Sequence, residues 1–215
     1  MELILNEERP EQALQRLQDL GVLPYIHPAL TFNQIIADRF RRLREALRTR
    51  EEPDAIERLY MGLWLYDLSP QAIENIHHRL RFRRETLRLL EDMVALRDIT
   101  DILTAPDLRP SEFVRRVEKR TLGALFVVAV AEDNTLLWER YDRYVNVWQY
   151  VRPTVDGTYL REVLKLKPDP RFGRILRQLR DAWLDEEIHT AEEEARRLHA
   201  LVEQEYGPRA SEEYS

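Results

Sequence analysis

A group of basic side chains near the end of the chain has the types and spacing that bind phosphate. Lys165 and Lys167 precede Pro170, a residue that favours the first turn of a helix. Three arginines follow at intervals of three: Arg171, Arg174 and Arg177. Residues three apart share one helix face, and the N-terminus of a helix attracts anions. Such a pattern can hold phosphate; the alternative is a solvated face balanced by nearby carboxylates.

Two further arginine clusters lie earlier in the chain. The first joins two predicted helices and consists of Arg79, Arg81, Arg83, Arg84 and Arg88. Such arginines can bind an RNA backbone, since a guanidinium group donates two parallel hydrogen bonds to phosphate. The alternative is a polar linker paired with Glu91 and Asp92. The second cluster, between Arg39 and Arg50, is the polar face of one predicted helix, and we interpret it as solvated or packed on another domain.

Residues for nucleotide chemistry are absent from the sequence. Nucleotidyl transfer uses metal-binding carboxylates on a strand and a small-residue loop for the triphosphate. The chain contains no Asp-x-Asp, and its six glycines are scattered singly. His77 and His78 are adjacent, so on a helix they point about 100° apart and cannot chelate one metal together. We therefore expect no cofactor or metal in this chain, and no catalysis by the chain alone.

Composition describes a globular protein with one or two cores. The chain has 215 residues, of which 44% are hydrophobic and 33% charged. The absence of cysteine excludes disulfides and thiolate metal sites, and the acidic N-terminus lacks the basic leader of a signal peptide. The longest apolar run, Leu122 to Ala131, is too short for a membrane span. We expect a cytoplasmic protein that does not associate with membranes.

The distribution of charge is more informative than its sum. A net charge of −6 argues against a uniformly basic nucleic-acid binder. Lysine occurs only at positions 119, 165 and 167, so 30 of the 33 basic residues are arginine. Arginine suits phosphate recognition because its guanidinium group is a rigid fork. A GC-rich or heat-adapted genome would produce the same bias, so composition alone does not distinguish the two explanations.

Helical periodicity dominates the chain, and strands are scarce. Helix starts are predicted at Pro10, Asn33, Ser69-Pro70, Pro110 and Asn134. One long helix is predicted over Arg83–Ile102, and Leu122–Ala131 is interpreted as a buried helix because a lone strand would have no partner. Pro153 and Gly157 mark a linker, after which three shorter helices are predicted. The sequence therefore predicts an all-α array of about ten helices with a soft boundary near Pro153.

Residues 150–193 carry the most specific motif. They run Tyr-Val-Arg-Pro-Thr-Val-Asp-Gly-Thr-Tyr-Leu, then Lys-Leu-Lys-Pro-Asp-Pro-Arg-Phe-Gly-Arg-Ile-Leu, and close with Leu-Asp-Glu-Glu-Ile-His-Thr-Ala-Glu-Glu. This series resembles the tail of bacterial class II tRNA nucleotidyltransferases, the family of CCA-adding enzymes and poly(A) polymerases. The stretches Met1–Leu5 and Gly21–Leu30 resemble the neck-to-body junction of the same family.

The resemblance covers nearly the whole chain but only the second half of such an enzyme. It implies the end of a neck and a junction at 1–30, a helical body at 31–152 and a helical tail at 153–215. It further implies that the chain binds tRNA and positions the acceptor end for addition of CCA or A by an absent catalytic head, fused or separate, that uses Mg²⁺. The RNA-binding residues expected are Lys165, Lys167, Arg171, Arg174 and Arg177 in this tail, together with Arg81, Arg83 and Arg84 from the arginine pattern described above.

The tail departs from the family pattern at three positions. Lys165, Asp169 and Glu186 stand where the family commonly has glycine. Asp169 would oppose close approach of a phosphate by its bulk and its charge. Either the turn is purely structural, or Lys165 and Lys167 bind the phosphate.

A second class of function stays open, namely a standalone helical module that binds a protein partner and no RNA. Leu3, Ile4 and Leu5 form a short apolar patch, and five residues cannot hold a helix alone. The patch must pack on Leu14 and Leu17, or on another domain. We therefore expect either a separately made head or a weak homodimer at this end of the chain.

Overall fold

The computed structural model describes residues 2–166 and 169–207. Regular structure in these residues consists of 14 α-helices, ten of them with seven or more residues, and one 3-10 turn, with no strand. The helices are α1 (Glu2–Leu5), α2 (Pro10–Asp19), α3 (Leu23–Ile26), α4 (Gln34–Ala46), α5 (Ile56–Trp64), α6 (Pro70–Leu80), α7 (Arg84–Arg97), α8 (Thr100–Leu103), α9 (Pro110–Val117), α10 (Leu122–Glu132), α11 (Thr135–Asn146), α12 (Gly157–Glu162), α13 (Pro170–Leu184) and α14 (Ala191–Tyr206). The prediction of an all-α fold is confirmed.

Side-chain caps begin several helices where the sequence predicts them. Asn33, Ser69 and Asn134 each accept a hydrogen bond from the backbone N–H three residues on, at 3.1–3.2 Å. Each bond satisfies one of the N–H groups that a helix start leaves without an intrahelical acceptor. Pro10 is the first residue of α2, where its missing N–H costs nothing.

One predicted helix is in fact two. The stretch Arg83–Ile102 forms α7 and then, after a break at Asp98 and Ile99, the single turn α8. Ile99 has φ −118° and ψ 18°, outside the helical region, and the Thr100 hydroxyl donates to the carbonyl of Arg97 at 2.8 Å. A hydroxyl that bonds a carbonyl of the preceding turn competes with the helical hydrogen bonds. The prediction of one continuous helix was therefore wrong.

Packing divides the described residues into two compact units. The first lies within 1–106 and 116–141, and the second within 107–115 and 142–215. Each unit has its own buried core.

The centre of the first unit is α10. All residues from Gly123 to Ala131 are buried, and α5 and α7 pack against this helix. Two glycines permit the close approach: a Cβ at Gly123 would lie 2.7 Å from Asp54 Cβ, and one at Gly62 would lie 3.0 Å from Val127 Cγ2. The prediction of a buried helix is confirmed here. In the described part of the chain, no helix combines the length and apolarity that crossing a membrane requires.

The apolar patch at the start of the chain is divided between core and surface. Leu5 is fully buried in the first unit, where α1 packs against α5 and α2. Leu3 is 87% exposed. Part of the patch is therefore satisfied inside the chain, and Leu3 remains available to a partner.

The second unit has a small apolar core and one buried carboxylate. The core residues are Leu160, Leu164, Ile175, Leu179, Leu198, Leu201 and Val202. Glu194, only 1% exposed, accepts the backbone N–H of Thr154 at 2.9 Å and that of Val155 at 3.1 Å. The indole N–H of Trp183 donates to the other carboxylate oxygen at 2.7 Å. One side chain on α14 thus fixes both α13 and the segment before α12.

Candidate nucleic-acid interface

The junction cluster, defined as Arg79, Arg81, Arg83, Arg84 and Arg88, surrounds the turn between α6 and α7. Arg81 follows the last residue of α6 with a left-handed backbone (φ 54°, ψ 58°), and its N–H donates to the carbonyl of His77 at 2.7 Å. This conformation ends a helix in the way a glycine usually does. Phe82 is only 8% exposed and lies 5.9 Å from the His77 ring. The buried ring anchors the turn, while the arginines on both sides of it are exposed.

Four guanidinium groups of the junction cluster are unpaired in the described structure. Arg79, Arg81, Arg84 and Arg88 are exposed and make no hydrogen bond or ion pair through their side chains with any described residue. Arg84 and Arg88 are one turn apart on α7 and so share a face. Each guanidinium group carries five N–H donors and stays charged at neutral pH. The cluster therefore presents several free cationic donors at one turn of the chain.

The two carboxylates that follow in the sequence do not pair with the junction cluster. Asp92 is 6% exposed and accepts hydrogen bonds from Arg120 Nη1 at 3.1 Å and from the Thr121 N–H at 2.8 Å. Glu91 is exposed and forms no ion pair with a described residue. The start of α7 has no side-chain cap bond, and Glu85 is the acidic residue of its first turn. A linker paired with Glu91 and Asp92 is not what the geometry shows.

In the tail cluster, defined as Lys165, Lys167, Arg171, Arg174 and Arg177, the N-terminus of α13 is already occupied. Asp169 is the N-cap residue, and its Oδ1 accepts the N–H of Arg171 at 2.6 Å. Pro170 has no N–H to offer. The carboxylate of Asp169 therefore lies where an external anion would bind a helix N-terminus. This geometry supports a structural role for the turn.

The arginines of the tail cluster differ in their surroundings. Nε and Nη2 of Arg174 donate to the two carboxylate oxygens of Glu205, at 3.2 and 2.7 Å. Nη1 of Arg171 donates to the backbone carbonyl of Glu205 at 3.1 Å, and its guanidinium carbon lies 4.7 Å from the centroid of the Tyr206 ring. The hydrogen bonds between Glu205 and Arg174 lower the pKa of the carboxyl and raise the pKa of the guanidinium group. Arg177 is exposed and forms no ion pair with a described residue.

The two lysines of the tail cluster precede α13. Lys165 is exposed, has a positive φ of 48° and forms no ion pair with a described residue. Lys167 lies outside the described residues. A role for either lysine in phosphate binding stays a prediction.

Two arginines of α4 are held by carboxylates of the first unit, whereas Arg41 is exposed. Arg39 is 8% exposed, donates to both carboxylate oxygens of Asp67 at 2.6 and 3.0 Å, and lies 4.8 Å over the Tyr66 ring. Arg44 donates to both oxygens of Glu11 at 3.1 and 2.9 Å. These pairs lie within the first unit and use the donors that a phosphate would need.

The adjacent histidines of α6 belong to no group of possible metal ligands among the residues that the structure describes. The ring centroids of His77 and His78 are 5.6 Å apart, and His78 Nε2 lies 3.8 Å from Glu74. The described residues contain no group of three or more His, Asp or Glu side chains arranged to hold a metal ion.

Sequence reasoning missed Glu205 and Tyr206 as partners of the tail cluster. Glu205 is 31 residues from Arg174, so spacing within one helix carries no information about it. A signal did exist, because α13 and α14 are joined by only a short connection. Short connections place consecutive helices antiparallel, which brings the end of α14 beside the start of α13.

Solved structures of one kind of enzyme share this fold. The chain is similar to the Thermotoga maritima CCA-adding enzyme complexed with tRNA, with TM-score 0.70 and 15% identity over 93% of this chain and 49% of that chain. It is similar to an apo form of a CCA-adding enzyme, with TM-score 0.70 and 14% identity over 93% and 47% of the two chains. A CCA-adding enzyme in complex with CTP gives TM-score 0.68 and 14% identity over 94% and 49%.

The chain therefore spans about half the length of the enzymes that it matches. No protein-family model matches the sequence, and no curated protein sequence matches it. At 14–15% identity the likeness is one of fold: the all-α arrangement of this chain is shared with about half of a CCA-adding enzyme.

Proposed function

We propose that this chain is the tRNA-binding body and tail region of a CCA- or A-adding tRNA nucleotidyltransferase. It positions the acceptor end of tRNA for 3′-terminal nucleotide addition by a catalytic head, either fused to it or made separately. The observation that carries the proposal is the shared fold over 93% of the chain with an enzyme solved in complex with tRNA. The resemblance of residues 150–193 to the tail of that family agrees with the proposal.

The junction cluster supplies the main backbone contact in this proposal. Its four unpaired guanidinium groups can each donate two hydrogen bonds to a phosphate. Contacts to the backbone carry no sequence information. This suits a protein whose substrates are all tRNAs, because their common property is shape. Arg177 and Lys165 add exposed cationic groups in the tail cluster, and Lys167 is retained as a predicted contact.

The proposal assigns Mg²⁺ and the nucleotide to the catalytic head. A contact between the head and the first unit is supported by four exposed apolar side chains, Leu3, Leu20, Tyr25 and Ile35, which are 58–87% exposed. All four belong to the first unit, and exposed apolar side chains mark a protein interaction site where they form one contiguous patch. The same side chains favour the alternative function, a helical module that binds a protein partner without RNA, and they could also support a weak homodimer.

Filter binding of the purified chain to tRNA over a salt series tests the proposal. Each phosphate contact should add about 0.7–0.9 to the slope of log K against log salt. Simultaneous substitution of Arg79, Arg81, Arg84 and Arg88 by alanine should therefore reduce the slope by about 3.

A matched control removes the same charge elsewhere. Arg9, Arg16, Arg48 and Arg143 are exposed and form no ion pair with a described residue, and they are scattered along the chain. Their fourfold alanine variant should keep most of the slope. If the two variants lose the same amount of slope, tRNA binding depends on net charge and not on the position of the arginines. Absence of salt-dependent binding by the wild type would favour the protein-interaction module.

A further inference from the structure

The end of α14 covers two of the arginines that the proposed function directs at RNA. The Glu205 carboxylate, 16% exposed, receives both hydrogen bonds of the Arg174 guanidinium group, itself 51% exposed. The backbone carbonyl of Glu205 accepts from Arg171, whose guanidinium group stacks on Tyr206. The Tyr206 hydroxyl in turn donates to Oδ1 of Asp169 at 3.1 Å. All of these contacts lie within the second unit.

The contact between Glu205 and Arg174 has the geometry of a bound anion. Arginine recognises carboxylate and phosphate with the same pair of parallel N–H donors. The Glu205 carboxylate therefore occupies the donors that an RNA phosphate would use. The arginine side of this ion pair is half-exposed, so solvent screens the pair, and two long side chains must be held in place; its net contribution is therefore small. A polyanion that offers several phosphates at once can displace it.

We propose that Glu205 and Tyr206 form an internal latch that competes with RNA phosphate for Arg174 and Arg171. The latch rests on the proposed function, because it regulates the tail cluster as an RNA contact. Without RNA, the end of α14 holds both guanidinium groups. RNA binding at the tail cluster releases Glu205 from Arg174 and frees the last turn of α14 from the start of α13. The latch lowers the affinity of the tail cluster for RNA phosphates.

The latch is tested by Glu205→Gln, with Glu203→Gln as the matched control. Glu203 lies on the same helix, is exposed and forms no ion pair with a described residue, so its substitution removes the same charge without touching the arginines. Glu205→Gln should bind tRNA about two- to fivefold more tightly than Glu203→Gln, the range expected from an exposed ion pair. Its slope of log K against log salt should be steeper by about one contact. Adding Arg174→Ala to Glu205→Gln should abolish the gain in tRNA affinity.

A second ligand separates failure of the latch from failure of the proposed function. Titration calorimetry measures the affinity of inorganic tripolyphosphate for the two single variants and the double variant. A gain of Glu205→Gln over Glu203→Gln with tripolyphosphate, together with no binding of tRNA by any variant, would support the latch and overturn the tRNA function. Equal binding by the two single variants, with tRNA and with tripolyphosphate, overturns the latch.

Discussion

The junction cluster and the tail cluster each lie beside the first turn of a helix, yet their surroundings differ. At the junction, α7 begins at Arg84 without a side-chain cap, and four guanidinium groups have no described acidic partner. In the tail, Asp169 caps α13 and Glu205 holds Arg174. Spacing along one helix therefore does not decide whether arginines are free for phosphate. The carboxylates brought in by neighbouring elements decide it.

The largest expected effect separates the two clusters directly. Alanine at Arg79, Arg81, Arg84 and Arg88 should weaken tRNA binding by about a hundredfold or more near physiological salt and lower the salt slope by about 3. Alanine at Arg171, Arg174 and Arg177 should lower the slope by a smaller amount, because Glu205 competes with RNA phosphate for Arg174 and Arg171. Filter binding across salt measures both. Equal slopes for the two variants would contradict the contrast between paired and unpaired arginines.

A second prediction concerns the unit that holds the tail cluster. Glu194→Gln should lower the free energy of unfolding by about 1.5–3 kcal/mol, because the buried amide turns an N–H toward donors that need an acceptor. Urea unfolding followed by tryptophan fluorescence measures this. The exposed variant Glu203→Gln should unfold like the wild type.

The pH dependence of the same variant has a definite sign. Burial alone would raise the pKa of Glu194, but the N–H groups of Thr154 and Val155 and the indole of Trp183 outweigh it and hold the pKa below its ordinary value. The carboxylate therefore contributes stability above its unfolded pKa and loses that contribution as the pH falls through the folded pKa. The difference between wild type and Glu194→Gln should shrink in acid. A difference that stays constant down to strongly acidic pH would show that ionised Glu194 is not its source.

A smaller effect should follow from the cap of α13. Asparagine caps a helix as well as aspartate, so Asp169→Asn should leave thermal stability nearly unchanged. Loss of the negative charge beside the tail cluster should raise tRNA affinity roughly two- to fivefold. Asp156 caps α12 in the same way and provides the control, since Asp156→Asn should leave affinity unchanged. If Asp169→Asn and Asp156→Asn bind tRNA with the same affinity, the position of the lost carboxylate does not affect binding.

The last prediction is that the chain alone has no nucleotide-adding activity. Both clusters are proposed to bind, and neither carries metal-binding carboxylates or a triphosphate loop. The chain alone should add no nucleotide to tRNA from labelled CTP or ATP with any divalent metal. Labelled tRNA 3′ ends produced by the pure chain would contradict this.

Local signals in the sequence predicted much of the fold. Asn33, Ser69 and Asn134 were recognised because a cap and its N–H lie three residues apart. The break between α7 and α8 was missed because apolar periodicity continues through it while the Thr100 hydroxyl competes for a carbonyl. Helix caps depend on neighbours in sequence, so they can be read from it.

Which arginines of the candidate interface are paired was harder to predict, because pairing depends on residues that are distant in the sequence. All members of both clusters were named from the sequence, but Glu205 is 31 residues from Arg174 and Asp67 is 28 residues from Arg39. Free and paired arginines look alike in a one-dimensional pattern. Only the packing of consecutive helices distinguishes them.

The left-handed turn at Arg81 sets two selective pressures against each other. A side chain with φ 54° costs about 1–2 kcal/mol in backbone energy, which a glycine would largely avoid. Selection for heat resistance alone should therefore bring glycine to position 81, whereas selection for tRNA capture should retain arginine. A library with every residue at position 81 can be sorted once for thermal stability and once for tRNA binding. The first sort should enrich glycine and the second should enrich arginine. The arginine at this turn would then be a residue that the fold tolerates for the sake of its ligand.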